Sequence, residues 1–229
     1  MVCGAFVTLG RRRCHFEDNT ASDCGAAISL DNNPFRLTLR HITAVNNVAD
    51  DGGVLCVDIV YRDPEDVGGV EDYYDPSVVD VIASVFDDND ADDDGGAIYA
   101  KAGTLTVTNV VSNNDDGVTG SFLALKEEAS ATVTNTIVTA ADGDSVVYAE
   151  EAGAVSIRYS NFFGNGGDFD GVADPIGTDG NLSVDPQYTD GFRLDAGSPC
   201  VDAGDPSVFD TDGSRSDMGA YGGPEGDWP

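Results

Sequence analysis

An apolar triplet led by glycine or aspartate recurs along this chain, each copy followed about ten residues later by an alternating strand and then by an Asn/Asp-rich turn. The first element reads Gly25-Ala26-Ala27-Ile28, Gly53-Val54-Leu55, Gly96-Ala97-Ile98-Tyr99, Gly120-Ser121-Phe122-Leu123 and Asp144-Ser145-Val146-Val147, with an incomplete copy at Gly4-Ala5-Phe6. The second reads Leu37-Thr38-Leu39, Val79-Asp80-Val81, Leu105-Thr106-Val107, Ala131-Thr132-Val133 and Val155-Ser156-Ile157. Gly96, Gly120 and Asp144 stand 24 residues apart, and the second element steps by 26, 26 and 24 from Val79 onward. A fixed period in this range builds a solenoid or a propeller, and so outranks any single motif.

Inside the second element apolar residues alternate with Thr38, Asp80, Thr106, Thr132 and Ser156. Period two makes a strand with one buried and one wet face. Units this short, without a helical period between strands, cannot form βαβ crossovers. They coil, and each strand lies beside its copy in the next unit, with Asp18-Asn19, Asn46-Asn47, Asp87-Asp88-Asn89, Asn113-Asn114 and Gly164-Asn165 at the bends.

Acidic residues outnumber basic ones 42 to 11 in 229 residues, a net charge of -31. Phosphate binding rests on Lys and Arg, so nucleic acid and anionic membrane surfaces are excluded as partners. Calcium at Asp-rich turns, tolerance of high salt, and plain solubility remain open. No run of 18 apolar residues provides a transmembrane helix. Arg11, Arg12 and Arg13 follow the short apolar N-terminal stretch instead of preceding it, which does not read as a signal peptide. Met1 falls almost on a repeat unit, so the chain is expected to be the C-terminal part of a longer solenoid, with an uncovered first rung that self-associates. Cys3, Cys14, Cys24, Cys56 and Cys200 have no metal-ligand spacing. Cys3 and Cys24 precede equivalent glycines, where they stack either as buried thiols or as a disulfide.

Cys14-His15-Phe16-Glu17-Asp18-Asn19-Thr20-Ala21 before Gly25-Ala26-Ala27-Ile28, and Val85-Phe86-Asp87-Asp88-Asn89-Asp90-Ala91 before Gly95-Gly96-Ala97-Ile98, resemble the repeat of polymorphic outer-membrane proteins. The resemblance covers residues 1 to about 165 and implies the right-handed parallel β-helix of pectin-lyase-like proteins. The tail resembles the terminal segment of bacterial secreted β-helix proteins, through Val184-Asp185-Pro186-Gln187-Tyr188, Gly197-Ser198-Pro199-Cys200-Val201-Asp202-Ala203-Gly204 and Asp217-Met218-Gly219-Ala220-Tyr221-Gly222-Gly223-Pro224. Both resemblances imply an extracellular or cell-surface location. Such folds carry lyases, hydrolases and adhesins alike, so the fold does not supply an activity.

Residues 61–76 break the period, since Gly53 and Gly96 are 43 residues apart. Segments that leave a regular scaffold often bind, and Tyr61, Tyr73 and Tyr74 beside Asp63, Asp72 and Asp75 can stack on and hydrogen-bond a sugar, or form an acidic insertion that binds nothing. The polygalacturonase signatures of this fold are missing. Lys101 and Lys126, one unit apart with Glu150 next, are the catalytic candidates, and an exposed charge ladder explains them as well. His15 and His41 have no nucleophile in motif context and read as surface or packing residues. For calcium, Asp87, Asp88, Asp90, Asp92, Asp93 and Asp94 form one dense acidic group expected at a single corner; Asp210, Asp212 and Asp217 form a second, where Arg215 is expected to pair with aspartates. Thr106-Val107-Thr108 above Thr132-Val133-Thr134 has the form of an ice-binding row but stops after two units.

The expected fold is an all-β right-handed parallel β-helix of about six rungs within residues 1–168. Residues 169–229 form a loop-rich cap in which Tyr188, Phe192, Leu194, Val201, Met218 and Tyr221 cover the open end. The expected function is a non-catalytic surface module with a structural, adhesive or glycan-binding role, calcium being its only expected cofactor. The alternatives are a polysaccharide lyase or glycoside hydrolase acting on an acidic polysaccharide and, more remotely, an ice-binding solenoid.

Overall fold

The computed structural model describes residues 6–8, 13–31, 36–58, 77–226 and 228. Among the described residues the chain forms three sheets, of ten, six and three strands, and every strand pairing within them is parallel. It passes from sheet to sheet and advances one strand per circuit, a parallel β-solenoid of about five turns with almost no helix.

The main path of the ten-stranded sheet runs Phe6–Thr8, Arg36–Arg40, Val78–Asp87, Thr104–Asn113, Ser130–Thr134 and Val155–Arg158. Its register stacks Leu37, Val79, Leu105, Ala131 and Val155, and two residues on Leu39, Val81, Val107, Val133 and Ile157, as the alternation requires. The six-stranded sheet holds Ile28–Asp31, Leu55–Asp58, Ile98–Ala100, Leu123–Lys126, Ser145–Glu150 and Asp168–Asp170. The three-stranded sheet holds Val48–Ala49, Asp90–Asp94 and Asp116–Thr119. Phe86 and Phe122 are fully buried between them. Side chains of this size contribute about 2–3 kcal/mol each when removed from water.

One register differs from the sequence reading. Ile98 pairs with Leu123 and Leu123 with Val147, so Gly95, not Gly96, is the counterpart of Gly120. The backbone gives the reason: Gly25, Gly52, Gly95 and Gly120 all take the left-handed conformation, with φ between 61 and 71°. Gly96 serves a different need. A Cβ there would stand 2.1 Å from the Asp116 carbonyl oxygen of the next turn, so only glycine lets the two coils approach.

The Asn/Asp corner lies where the sequence places it. Asp18, Asn46, Asp88 and Asn114 form a column with φ from 51 to 59°, which Asn and Asp tolerate best among L-residues. Beside it runs an internal amide ladder. Asn19 Nδ2 donates to Asn47 Oδ1 at 2.7 Å, Asn47 Nδ2 to Asn89 Oδ1 at 2.8 Å, and Asn89 Nδ2 to Asp115 Oδ1 at 2.8 Å. Asn47, Asn89 and Asp115 are fully buried, so each rung satisfies its neighbour where water cannot.

Past Asp170 the chain forms no further sheet strand among the described residues. Asn181 and Leu182 first extend the last turn: Asn181 Nδ2 donates to the Ile157 carbonyl at 2.9 Å, and Leu182 accepts from the Phe162 amide at 3.0 Å. The rest retraces the solenoid on its outside. The Val184 carbonyl meets Asn161, Gly219 donates to the Asn135 carbonyl, Asn109 Nδ2 donates to the Asp217 and Gly219 carbonyls, and Glu225 and Trp228 reach Arg40 and His41. Tyr188, Phe192, Leu194, Met218 and Tyr221 thereby pack with Val85, Val111 and Ile137, an apolar column on the outer side of the ten-stranded sheet, and Val201 stays outside that cluster. Arg215 bonds to backbone: its Nε donates to the Gly204 carbonyl at 2.6 Å and a terminal nitrogen to the Ala203 carbonyl at 3.1 Å. Among the described residues it reaches an aspartate only through its charge, which helps lower the pKa of Asp205 after the Ser207 bonds.

Candidate functional site

The acidic run at 87–94 does not gather at one corner. Asp87 ends a strand, Asp88 makes the bend, Asn89 turns inward onto the ladder, and Asp90–Asp94 is itself a strand, from which Asp90 and Asp92 line the outer groove while Asp93 and Asp94 stay within reach of Asp51. The bend carboxylates are matched by amides one turn on: Asn113 donates to Asp87 at 2.8 Å, and Asn114 to Asp88. Burial raises the pKa of Asp87 against the Asn113 bond, and the Asp88 charge adds to the rise.

Outside the three-stranded sheet, register stacks Asp90 on Asp116 and Asp116 on Asp142. With Asp92 and Asp144 they line an open groove floored by Ala91 and Gly143. Partial burial, and then the charges of Asp116 and Asp92, raise the pKa of Asp90.

A second cluster sits on the outer face of the six-stranded sheet. Register aligns Cys56, Tyr99, Ala124 and Tyr148 in one column and Lys126 with Glu150 in the next. Tyr99 is 7% exposed although it points away from the core, because Cys24, Cys56, Ala124 and Tyr148 surround it. Burial, with the charges of Asp51, Asp58 and Asp94 after it, pushes the Tyr99 phenol well up. The Lys126 ammonium lies 6.0 Å from the Tyr99 ring centre and 5.9 Å from that of Tyr148.

The ammonium of Lys126 contacts Asp94 Oδ2, and Glu150 Oε2 is 4.0 Å away. The Asp94 side chain is only 7% exposed, and its other oxygen accepts from Thr119. Burial works against the charged amine, but the bond and charge of Asp94, aided by Glu150, outweigh it and raise the Lys126 pKa. Asp51 Oδ1 accepts the Asp94 amide at 3.2 Å. Burial raises the pKa of Asp51 against that bond, and the charges of Asp94 and Asp93 raise it further. Among the described residues, Asp51, Asp93 and Asp94 each offer a carboxylate oxygen within 4.8 Å of the others. Lys101 is held differently, 3.4 Å from Glu127 and 3.9 Å from Asp58. Both lysines therefore stand in carboxylate contacts, and Lys126 has far the drier one.

The remaining candidates are dispersed. Asp210 accepts the amides of Asp217 and Gly223, Asp217 that of Asp202, and Asp212 the amide and hydroxyl of Ser214, so these carboxylates close turns of the tail. Tyr61, Asp63, Asp72, Tyr73, Tyr74 and Asp75 lie outside the described residues. His15 sits 3.1 Å from Glu17 on the surface, and His41 stacks on Trp228. Sequence reasoning missed Asp51, Tyr99, Asp115 and the Cys24–Cys56 disulfide. A signal existed for Asp51: like Cys24 and Asp94 it immediately precedes a left-handed corner glycine.

Residues 83–101 match the family model of the Chlamydia polymorphic membrane protein (Chlamydia_PMP) repeat. No match was found among curated proteins or among solved structures. The matched repeat is one in which each sequence signal has a structural office. Phe86 fills the core, Asn89 occupies the ladder, Ala91 is buried in the three-stranded sheet, Gly95 makes the left-handed corner, Gly96 admits the next turn and Ile98 returns to the core. Lys101 closes the matched segment, and the register that pairs Ala100 with Leu125 sets it opposite Lys126, with Glu150 next.

Proposed function

We propose that this chain is a cell-surface β-solenoid module with a structural or adhesive role. The observation that carries the reading is the polymorphic membrane protein repeat at 83–101, set in a parallel solenoid whose turns are locked by a buried amide ladder. A coil of this kind is a rigid, extended support, which suits a spacer or a docking surface. Acidity belongs to the same reading, because a net charge of -31 keeps such a particle soluble and turns away anionic partners. A glycan ligand at residues 61–76 rests on residue types alone, and calcium would serve as countercharge along the Asp90, Asp116 and Asp142 column.

Antibody raised against the purified chain should label intact producing cells as strongly as permeabilised ones. Labelling confined to permeabilised cells defeats the surface assignment. A glycan array then separates the two roles: saturable binding supports adhesion, and a blank array at high protein concentration leaves the structural role.

A further inference from the structure

Two side-chain pairs join the same two parts of successive coils. Cys24, just before the corner glycine Gly25, is bonded to Cys56 on the six-stranded sheet one turn later, 32 residues along the chain. Asp94, just before the corner glycine Gly95, contacts Lys126 on the same sheet one turn later, at the same chain separation. The first pair is a covalent staple. The second places an amine, 27% exposed and lying over the Tyr99 and Tyr148 rings, against a carboxyl group only 7% exposed.

We propose that Lys126 and Asp94 condense to an intramolecular isopeptide bond that staples the fourth described coil to the third, as Cys24–Cys56 staples an earlier pair. Asp94 and Glu150 hold Lys126 as the ammonium, so the reaction starts from the ion pair and is slow: one proton passes along the existing hydrogen bond from the Lys126 ammonium to the Asp94 carboxylate, giving a minor population of neutral amine and neutral acid. Nζ then adds to Cγ of Asp94. The nitrogen loses a proton, the hydroxyl takes one up, the C–O bond breaks and a molecule of water leaves, with no oxidant or other co-reactant consumed. The Asp51 carboxyl, whose oxygen lies within 4.8 Å of that of Asp94, is placed to carry this proton from nitrogen to the departing hydroxyl. Thr119, donating to the other Asp94 oxygen, polarises the carboxyl toward attack. Proximity supplies the rest, since a held amine and carboxyl react as neighbours and not as solutes. This staple does not depend on where the protein is displayed.

Intact-mass measurement of the full chain, after disulfide reduction, tests it. The expected species is lighter than the sequence mass by one water, and digestion yields a branched peptide joining Asp94 to Lys126. Asp94 is followed by Gly95, and Asp-Gly sequences also lose water by cyclising. Hydroxylamine opens that ring to a hydroxamate and leaves an isopeptide intact, so a species that hydroxylamine converts to a hydroxamate, or a loss that maps to a linear peptide, overturns the proposal. Lys126→Arg and Asp94→Ala should restore the full mass, and Asp51→Asn should retain it in most molecules with both partners present. A wild-type chain at full sequence mass with an unmodified Lys126 after prolonged incubation overturns it without recourse to any variant.

Discussion

Asn89 donates twice to one oxygen of Asp115, from its backbone amide at 2.9 Å and its side-chain amide at 2.8 Å, while Ser112 Oγ donates to the other at 2.5 Å. Asp115 stands where the ladder below it uses asparagine, and it is fully buried. Burial is the largest effect on its carboxyl and pushes the pKa from 3.8 up to about 7; the bonds from Ser112 and Asn89 oppose the rise, and the charge of Asp87 adds to it.

A folded-state pKa above the unfolded one favours the protonated native form. The contribution of Asp115 is therefore fully present below about pH 4 and is lost as pH rises toward 7. Asp115→Asn keeps the acceptor for Asn89 and removes the buried charge. The variant should match wild type at pH 4 and exceed it by about 2–4 kcal/mol at pH 8, taking roughly 1.4 kcal/mol per pKa unit. Denaturant midpoints at the two pH values measure this, and an equal difference at both refutes the assignment.

Gly96 and Gly213 offer a matched pair of tests. A Cβ on Gly96 meets the Asp116 carbonyl oxygen at 2.1 Å and the Ser121 carbonyl oxygen at 2.6 Å, both in the rigid next coil. A Cβ on Gly213 meets nothing within 4 Å, so its φ of +88° is the whole obstacle. Gly96→Ala should cost at least about 3 kcal/mol or abolish folding, and Gly213→Ala about 1 kcal/mol. Thermal unfolding of the two variants checks the ranking, which reverses if the solenoid can open its coil spacing freely.

Much of this architecture is written locally. Leu105, Val107 and their stacked counterparts announce strand, buried face and register through a period of two, and Asn46, Asp88 and Asn114 announce the bend through their tolerance of left-handed backbone. What Gly95 and Gly96 do individually is not local, because it depends on which carbonyl of the next coil approaches. The same holds for the tail: Tyr188 and Met218 read as apolar, but the column they cover, Val85, Val111 and Ile137, is visible only once Phe86 and its stacked counterparts are known to face inward. Lys126 and Asp94 could be matched in sequence only after the register was corrected by one residue, and the spread of the acidic run follows from Asn89 entering the ladder and leaving Asp90–Asp94 to form a strand.

Trp228 is the last described residue and anchors the returning tail. It stacks on Tyr221 at 4.9 Å and on His41 at 5.5 Å, its Nε1 donates to the Ala220 carbonyl at 3.0 Å, and its own carbonyl accepts from Arg193 at 2.8 Å. Arg193 in turn lies 4.0 Å from the Tyr221 ring centre. Trp228→Ala should cost about 3–4 kcal/mol locally and release the tail from its far end. Limited proteolysis should then cut within residues 190–226 well before the coils, while amides of Val79–Val85 and Leu105–Val111 keep their exchange protection. Simultaneous loss of protection in tail and coils would show instead that the tail is part of the global folding unit.

The Asp90, Asp116 and Asp142 column stacks like charges at about the strand spacing of 4.8 Å, which in water costs about 0.8 kcal/mol for each neighbouring pair before screening. The raised pKa of Asp90 has the matching sign, so this edge loses stability as pH rises out of the carboxylate range. Sodium chloride should raise the melting temperature by screening. Calcium chloride at the same ionic strength should raise it further, because a divalent ion can bridge two carboxylates of the groove where sodium only screens them. Asp116→Asn removes the middle charge and should both raise the melting temperature in low salt and shrink the excess due to calcium. Equal shifts for the two salts in wild type would reduce the acidic edge to diffuse screening and remove calcium from the functional reading.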